Sequence, residues 1–177
     1  DAGTSTVTLV GKSWDLHVKE ILETSLEENL AMIFDSVSYL KSKGIKVFFD
    51  AEHYFDGFKA NQEYALQVVK FAASAGSESV LLCDTYGGSL PVYISEVFKK
   101  TAADVTIPLG IHTHNDSDTA VAGAIAAIEL GASQVQGTIN GYGERCGNAN
   151  LISIIANLKL KLGIDCVTDD QLKSLKE

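Results

Sequence analysis

Five times along the chain an apolar, β-prone run gives way to a polar or glycine-containing loop and then to a segment of helical periodicity. The runs lie at about 6–10, 45–51, 79–83, 107–111 and 134–139, recurring at roughly the 30-residue interval of a strand–helix unit. Their apolar character is continuous, not alternating, which predicts strands covered on both faces and hence a parallel sheet. Capping signals support the intervening helices. Ser25 and Glu28 have capping-box spacing ahead of the stripe Leu26, Leu30, Ile33, Val37, Leu40, with Gly44 to end it. A second helix is predicted from Asn61 to Gly76, a third has Pro91 in its first turn, a fourth follows 115–118 and ends at Gly131, and a fifth aligns Leu151, Ile154, Ile155 and Leu158. The pattern fits either an open, doubly wound five-stranded sheet or part of an eight-stranded (β/α)8 barrel.

Composition narrows the function classes. A net charge of −9, with Arg145 as the only arginine, argues against a nucleic-acid surface, which needs clustered cations. No apolar run approaches the roughly 20 residues of a membrane span, and the opening residues carry no basic segment of a secretory signal, so a cytoplasmic protein is expected. Cys83, Cys146 and Cys166 are odd in number and lack paired CxxC spacing; they read as free thiols.

Polar residues gather directly after each apolar run, where parallel α/β folds place their active sites: GKSWD (11–15), FDAEH (49–53), CDTYGG (83–88), HTHND (112–116) and QGTINGYGERCGNAN (136–150). His112 and His114, two apart on a strand, share a face and can grip one ion, or else are two strand-end histidines satisfied by hydrogen bonds. Asn115 and Asp116 suit helix capping. Asn148 suits either a cap at the start of the next helix or an oxygen ligand completing the histidine pair for a divalent ion such as zinc, manganese or magnesium. Glu144 and Arg145 read most simply as an exposed ion pair.

HTHND followed after one helix by QGTINGYGERCGN resembles the paired-histidine and GTINGxGERxGN motifs of the isopropylmalate, homocitrate and citramalate synthases. GKSWDLHV, FDAEHYFDG and CDTYGG are most similar to the citramalate-forming branch, and the resemblance covers nearly the whole chain. It implies a TIM (β/α)8 barrel in place of the open sheet, with residues 1–163 forming about its last five units and 164–177 beginning a C-terminal linker or subdomain. It also implies His112, His114 and Asn148 as metal ligands, Glu52 in proton transfer beside acetyl-CoA, and Thr85 at the 2-oxoacid carboxylate. Asp50, two residues from Glu52 and on its face, is a weaker substrate contact; His17, His53 and Tyr86 are weaker still. Glu52 and Thr85 are expected to face the same mouth as the paired histidines and to line one cavity. The implied reaction is condensation of acetyl-CoA with pyruvate to citramalate and coenzyme A, serving isoleucine synthesis. The alternatives are a neighbouring synthase acting on 2-oxoisovalerate or 2-oxoglutarate, a lyase of the hydroxymethylglutaryl-CoA type, and an inactive barrel fragment. The sequence departs from the family in lacking an early LRDG-type segment, so three strands and one metal ligand are expected ahead of residue 1, and a homo-oligomer is expected to cover the open edges.

Overall fold

The computed structural model describes residues 3–175. Five strands, β1 (Thr6–Lys12), β2 (Lys46–Glu52), β3 (Ser79–Asp84), β4 (Leu109–Thr113) and β5 (Gln134–Gln136), lie in sequence order in one sheet, every neighbouring pair parallel. Helices α1 (Asp15–Glu20), α2 (Leu26–Ser42), α3 (Tyr54–Ala60), α4 (Gln62–Ser74), α5 (Pro91–Asp104), α6 (Ala120–Glu129) and α7 (Leu151–Leu160) follow the strands, and α8 (Asp169–Ser174) closes the described chain. A sheet whose order equals chain order, with a helix after each strand, is a section of a barrel; a doubly wound sheet reverses its strand order at a switch point. The resemblance therefore chose correctly between the two architectures. Among the described residues the sheet does not close, and β1 and β5 are both edges.

Alternation gives the sheet two chemically different faces. Val47, Phe49, Ala51, Val80, Leu82 and Ile111 point outward into one apolar core with Ile33, Val37, Val68, Ile94, Phe98 and Ala124 of the helices. The other face, concave in a barrel, carries Asp50, Cys83, His112, Gln134 and Gln136. Ser79 Oγ donates to Gln134 Oε1 at 2.9 Å across the intervening β4, which puts both side chains on that same face.

Helix starts follow the predicted caps. Ser25 Oγ accepts from the Glu28 amide, Asn61 Oδ1 accepts from the Tyr64 amide, and Pro91 occupies the first turn of α5. Two boundaries differ. β5 stops at Gln136 instead of continuing to 139, because the Thr138 amide turns to the Ala149 carbonyl. The cap of α7 is Asn150, whose Oδ1 accepts from the Ile152 amide, so Asn148 is not spent on capping. No helix among the described residues is long and apolar enough to cross a membrane.

Candidate metal centre and active site

The last residues of β4 and the loop 137–150 build the centre together. Ala149 donates its amide to Thr113 O and Asn115 donates to Gly147 O, while His114 and Asn148 form an isolated antiparallel bridge, so the loop lies back against the strand end. Gly147 makes this turn available: its φ is +94°, and a Cβ there would stand 2.1 Å from Gly141 O. Asn148 Nδ2 donates to Tyr142 O at 3.1 Å, which assigns the amide and leaves Oδ1 facing the histidines.

Two polar side-chain atoms gather about His112 Nε2. His112 Nε2 is 3.2 Å from His114 Nε2 and 3.1 Å from Asn148 Oδ1, with the two rings stacked at 27°. Ligands at about 2.1 Å from one ion stand about 3.0–3.4 Å apart at octahedral or tetrahedral angles, so the observed separations match a shared coordination sphere. Burial, then the neighbouring His112 and Arg145, holds the His114 imidazolium below its usual range and favours the neutral, ligating ring. Its Nδ1 is buried without a hydrogen-bond partner, with Glu144 Oε1 the nearest carboxylate at 3.8 Å. The donor set suits a borderline divalent ion. Asp50, Cys83 and His112 also come within reach of one another. That alternative grouping shares His112 with the first, and burial with the surrounding carboxylates pushes its Cys83 thiol far up.

The other expected residues occupy the same C-terminal rim. Glu52 ends β2, and counting on from the pair Ala51–Leu82 sets it level with Cys83, itself paired to His112. Two strand spacings make that separation ~10 Å at the backbone, enough for a small substrate between them. Thr85 follows β3; its Oγ1 accepts from the His53 amide at 2.9 Å. Glu52 and Thr85 nevertheless border different cavities, contrary to the single cavity expected. Lys12 at the end of β1 ion-pairs with Glu52 and draws its carboxylate into a groove of about 290 Å³ beside α2. Thr85 lines a second, of about 490 Å³, with His53, Tyr86, Asp116 and Arg145. Asp50 is only 7% exposed, and its Oδ1 accepts from Gln136 Nε2 at 3.0 Å. His17 stacks on Trp14 and meets His53 edge-on, while His53, which directly follows Glu52 in the chain, contacts Asp56 at 2.9 Å.

Sequence reasoning missed three participants. Lys12 lies two residues before Trp14 in GKSW, and its partner was visible only once β1 and β2 were in register. Gln136 was hidden in a motif read for its glycines, although the QVQ alternation already puts Gln134 and Gln136 on one face. Arg145 does contact Glu144, as expected, but its stronger engagement is two hydrogen bonds to the Asp116 carboxylate, at 2.8 and 3.0 Å, and a third to Thr85 O at 2.7 Å. The guanidinium thus ties three strand-end loops together and holds the Asp116 carboxyl below its usual range.

A barrel section with a paired-histidine centre at the carboxyl ends of its strands defines the class, and comparison with known proteins gives it a family. The HMGL-like family model matches residues 1–176, and the chain belongs to that family. Within it, the chain is 55% identical to an (R)-citramalate synthase of Geobacter sulfurreducens and 56% identical to one of Aquifex aeolicus, over 96% and 99% of its own length. A homocitrate synthase of Sulfurisphaera tokodaii is 40% identical over 91%. The chain spans about a third of each relative: 32%, 34% and 35%. Among solved structures, a hydroxymethylglutaryl-CoA lyase from Pseudomonas aeruginosa superposes with a TM-score of 0.81 at 18% identity, over 98% of this chain and 60% of that one; this likeness concerns the fold.

Proposed function

We propose that residues 1–163 are a catalytic-barrel segment of an enzyme that condenses acetyl-CoA with pyruvate to citramalate, and that 164–177 open a following linker or subdomain. The observation that carries this reading is the approach of both His114 Nε2 and Asn148 Oδ1 to His112 Nε2. Identity to (R)-citramalate synthases above that to homocitrate synthases favours pyruvate as the acceptor. A divalent ion held by those three groups would supply positive charge to the keto oxygen and make the keto carbon electrophilic.

The chain's own groups do the rest. Thr85 Oγ1 already accepts from a backbone amide, so its O–H is left to donate to the oxoacid carboxylate. Glu52 takes a proton from the acetyl methyl group, directly or through water, and Lys12 fixes the carboxylate's orientation. The resulting carbon nucleophile forms the new C–C bond at the keto carbon as the C=O π pair moves onto oxygen, which takes up a proton to become the product hydroxyl; water then gives its OH to the acyl carbon and its proton to sulfur, releasing coenzyme A.

The test supplies the full-length protein with acetyl-CoA, Mn²⁺ and either pyruvate, 2-oxoisovalerate or 2-oxoglutarate, following coenzyme A release and identifying the product. Pyruvate should be preferred at least ~10-fold, and His112→Ala should remove at least ~100-fold of the turnover, as expected for loss of a group stabilising transition-state charge. Preferential condensation with either larger oxoacid overturns the acceptor assignment, and full activity of His112→Ala overturns the centre.

A further inference from the structure

A chain of three side chains, the half-buried His112 and Gln136 and the buried Asp50, leads away from the metal centre on the concave face. Gln136 sits between Asp50 and His112, its Oε1 2.6 Å from His112 Nδ1 and its Nε2 donating to Asp50 Oδ1 at 3.0 Å. Asp50 reaches this point from β2 and Gln136 from β5, so the contact crosses the concave face of the sheet. The polarity of the chain follows from elementary donor and acceptor rules. An ionised carboxylate only accepts, so Asp50 requires the NH₂ end of the Gln136 amide. That leaves the amide oxygen toward His112, and an oxygen there requires Nδ1 to carry the proton. Nε2, the atom facing His114 and Asn148, is then left with its lone pair free. With the amide reversed, its oxygen would oppose the Asp50 carboxylate, and its NH₂ would demand a bare Nδ1, putting the proton on Nε2 and closing it to a cation.

We infer that Asp50 and Gln136 are positioning residues that lock His112 in the Nδ1–H tautomer and so prepare Nε2 as a ligand. This rests on the metal-centre reading above and reassigns Asp50 from substrate contact to anchor of the Gln136 amide. Partners of this kind on a ligating histidine change metal affinity by roughly 10- to 100-fold when removed.

The experiment reads the tautomer apart from activity. Full-length protein labelled with ¹⁵N-histidine is studied metal-free at alkaline pH, where imidazoles are neutral. The ring nitrogens of His112 are assigned by comparison with His112→Ala, and Mn²⁺ affinity is measured separately by calorimetry. The wild type should show a protonated Nδ1 and an unprotonated Nε2. Gln136→Leu should give a mixed tautomer and lose roughly 10-fold or more in affinity. Gln136→Glu alone still offers Nδ1 an acceptor and should keep the tautomer, but it opposes the Asp50 carboxylate and should lose affinity through the loosened anchor. The exchange Asp50→Asn with Gln136→Glu restores a donor facing an acceptor-only group and should show the wild-type tautomer with most of the affinity recovered, which a merely structural role would not predict. A protonated Nε2 in the wild type, or an unchanged tautomer in folded Gln136→Leu, overturns the inference. Failure of the wild type to bind Mn²⁺ while the tautomer responds as stated would sink the metal-centre reading alone.

Discussion

A Cβ built on Gly143 would lie 2.0 Å from Asn148 Nδ2 and 3.1 Å from its Cγ, so the side chain that completes the histidine pair occupies the space an alanine would fill. Gly143 has no positive φ, whereas Gly147 has one and also abuts backbone. The two glycines should therefore fail differently. Gly143→Ala displaces a side chain and should lower Mn²⁺ affinity about 10-fold with little change in stability, while Gly147→Ala strains the turn and should cost about 1–3 kcal/mol of folding free energy. Calorimetric metal titration beside urea denaturation separates them; unchanged affinity in Gly143→Ala would show that Asn148 Oδ1 is not needed. The residue scale is also where the sequence was least transparent. That His112, His114 and Asn148 come together was readable because a two-residue spacing puts the histidines on one face and a family motif names the third residue. Lys12, Gln136 and the outward reach of Arg145 depended on partners 40, 24 and 29 positions away, and pairings of that kind are set by register. Local pattern does not contain them.

At the scale of elements, α6 illustrates why the repeating units were easy to find and their packing was not. Its sequence AVAGAIAAIE buries Ala120, Gly123, Ala124 and Ala127, a face of small residues that lets α6 approach α5 and β4 closely. A Cβ on Gly123 would come within 2.5 Å of Ile94 Cδ1 on α5. Helical periodicity announces the helix, and the size of the residues on its face sets the interhelical distance, but the partner is known only from the fold. Ala124 is fully buried. Ala124→Leu should consequently overpack the α5–α6 contact and lower stability by about 1–3 kcal/mol in urea unfolding, with an unchanged denaturant slope. A change within ~0.3 kcal/mol would mean that the interface is slack. Strand boundaries obey the same logic. β5 reads from sequence as reaching residue 139, yet its apolar run is cut at Gln136, where the loop 137–150 offers the backbone better partners on Ala149 and Asn150.

For the whole molecule the two open edges are the controlling feature. Among the described residues β1 has no neighbour on one side, and Val10 on its concave face is 65% exposed beside the groove that also holds Lys12, Glu52, Leu22 and Met32. At the opposite edge Ile139, Tyr142 and Leu160 are exposed. Unpaired parallel edges with apolar flanks are open templates for further pairing, and five strands do not complete an eight-stranded barrel. The curated relatives are about three times the length of this chain. We therefore propose that in the functioning enzyme the β1 edge is continued by upstream strands bearing the LRDG-type arginine and aspartate, and that the 177-residue chain by itself covers its edges by self-association. Coenzyme A release and static light scattering, run together on residues 1–177 and on a form extended upstream, test both parts. On the proposed ligand set the 177-residue chain lacks one metal ligand and leaves its β1 and β5 edges open, so it should condense acetyl-CoA and pyruvate at background rate and scatter as an oligomer. The extended form should gain turnover by at least ~100-fold, the scale of one essential charge-stabilising group. Rapid turnover by a monodisperse monomer of residues 1–177 would mean that these five units already contain the whole catalytic apparatus and that their edges need no partner.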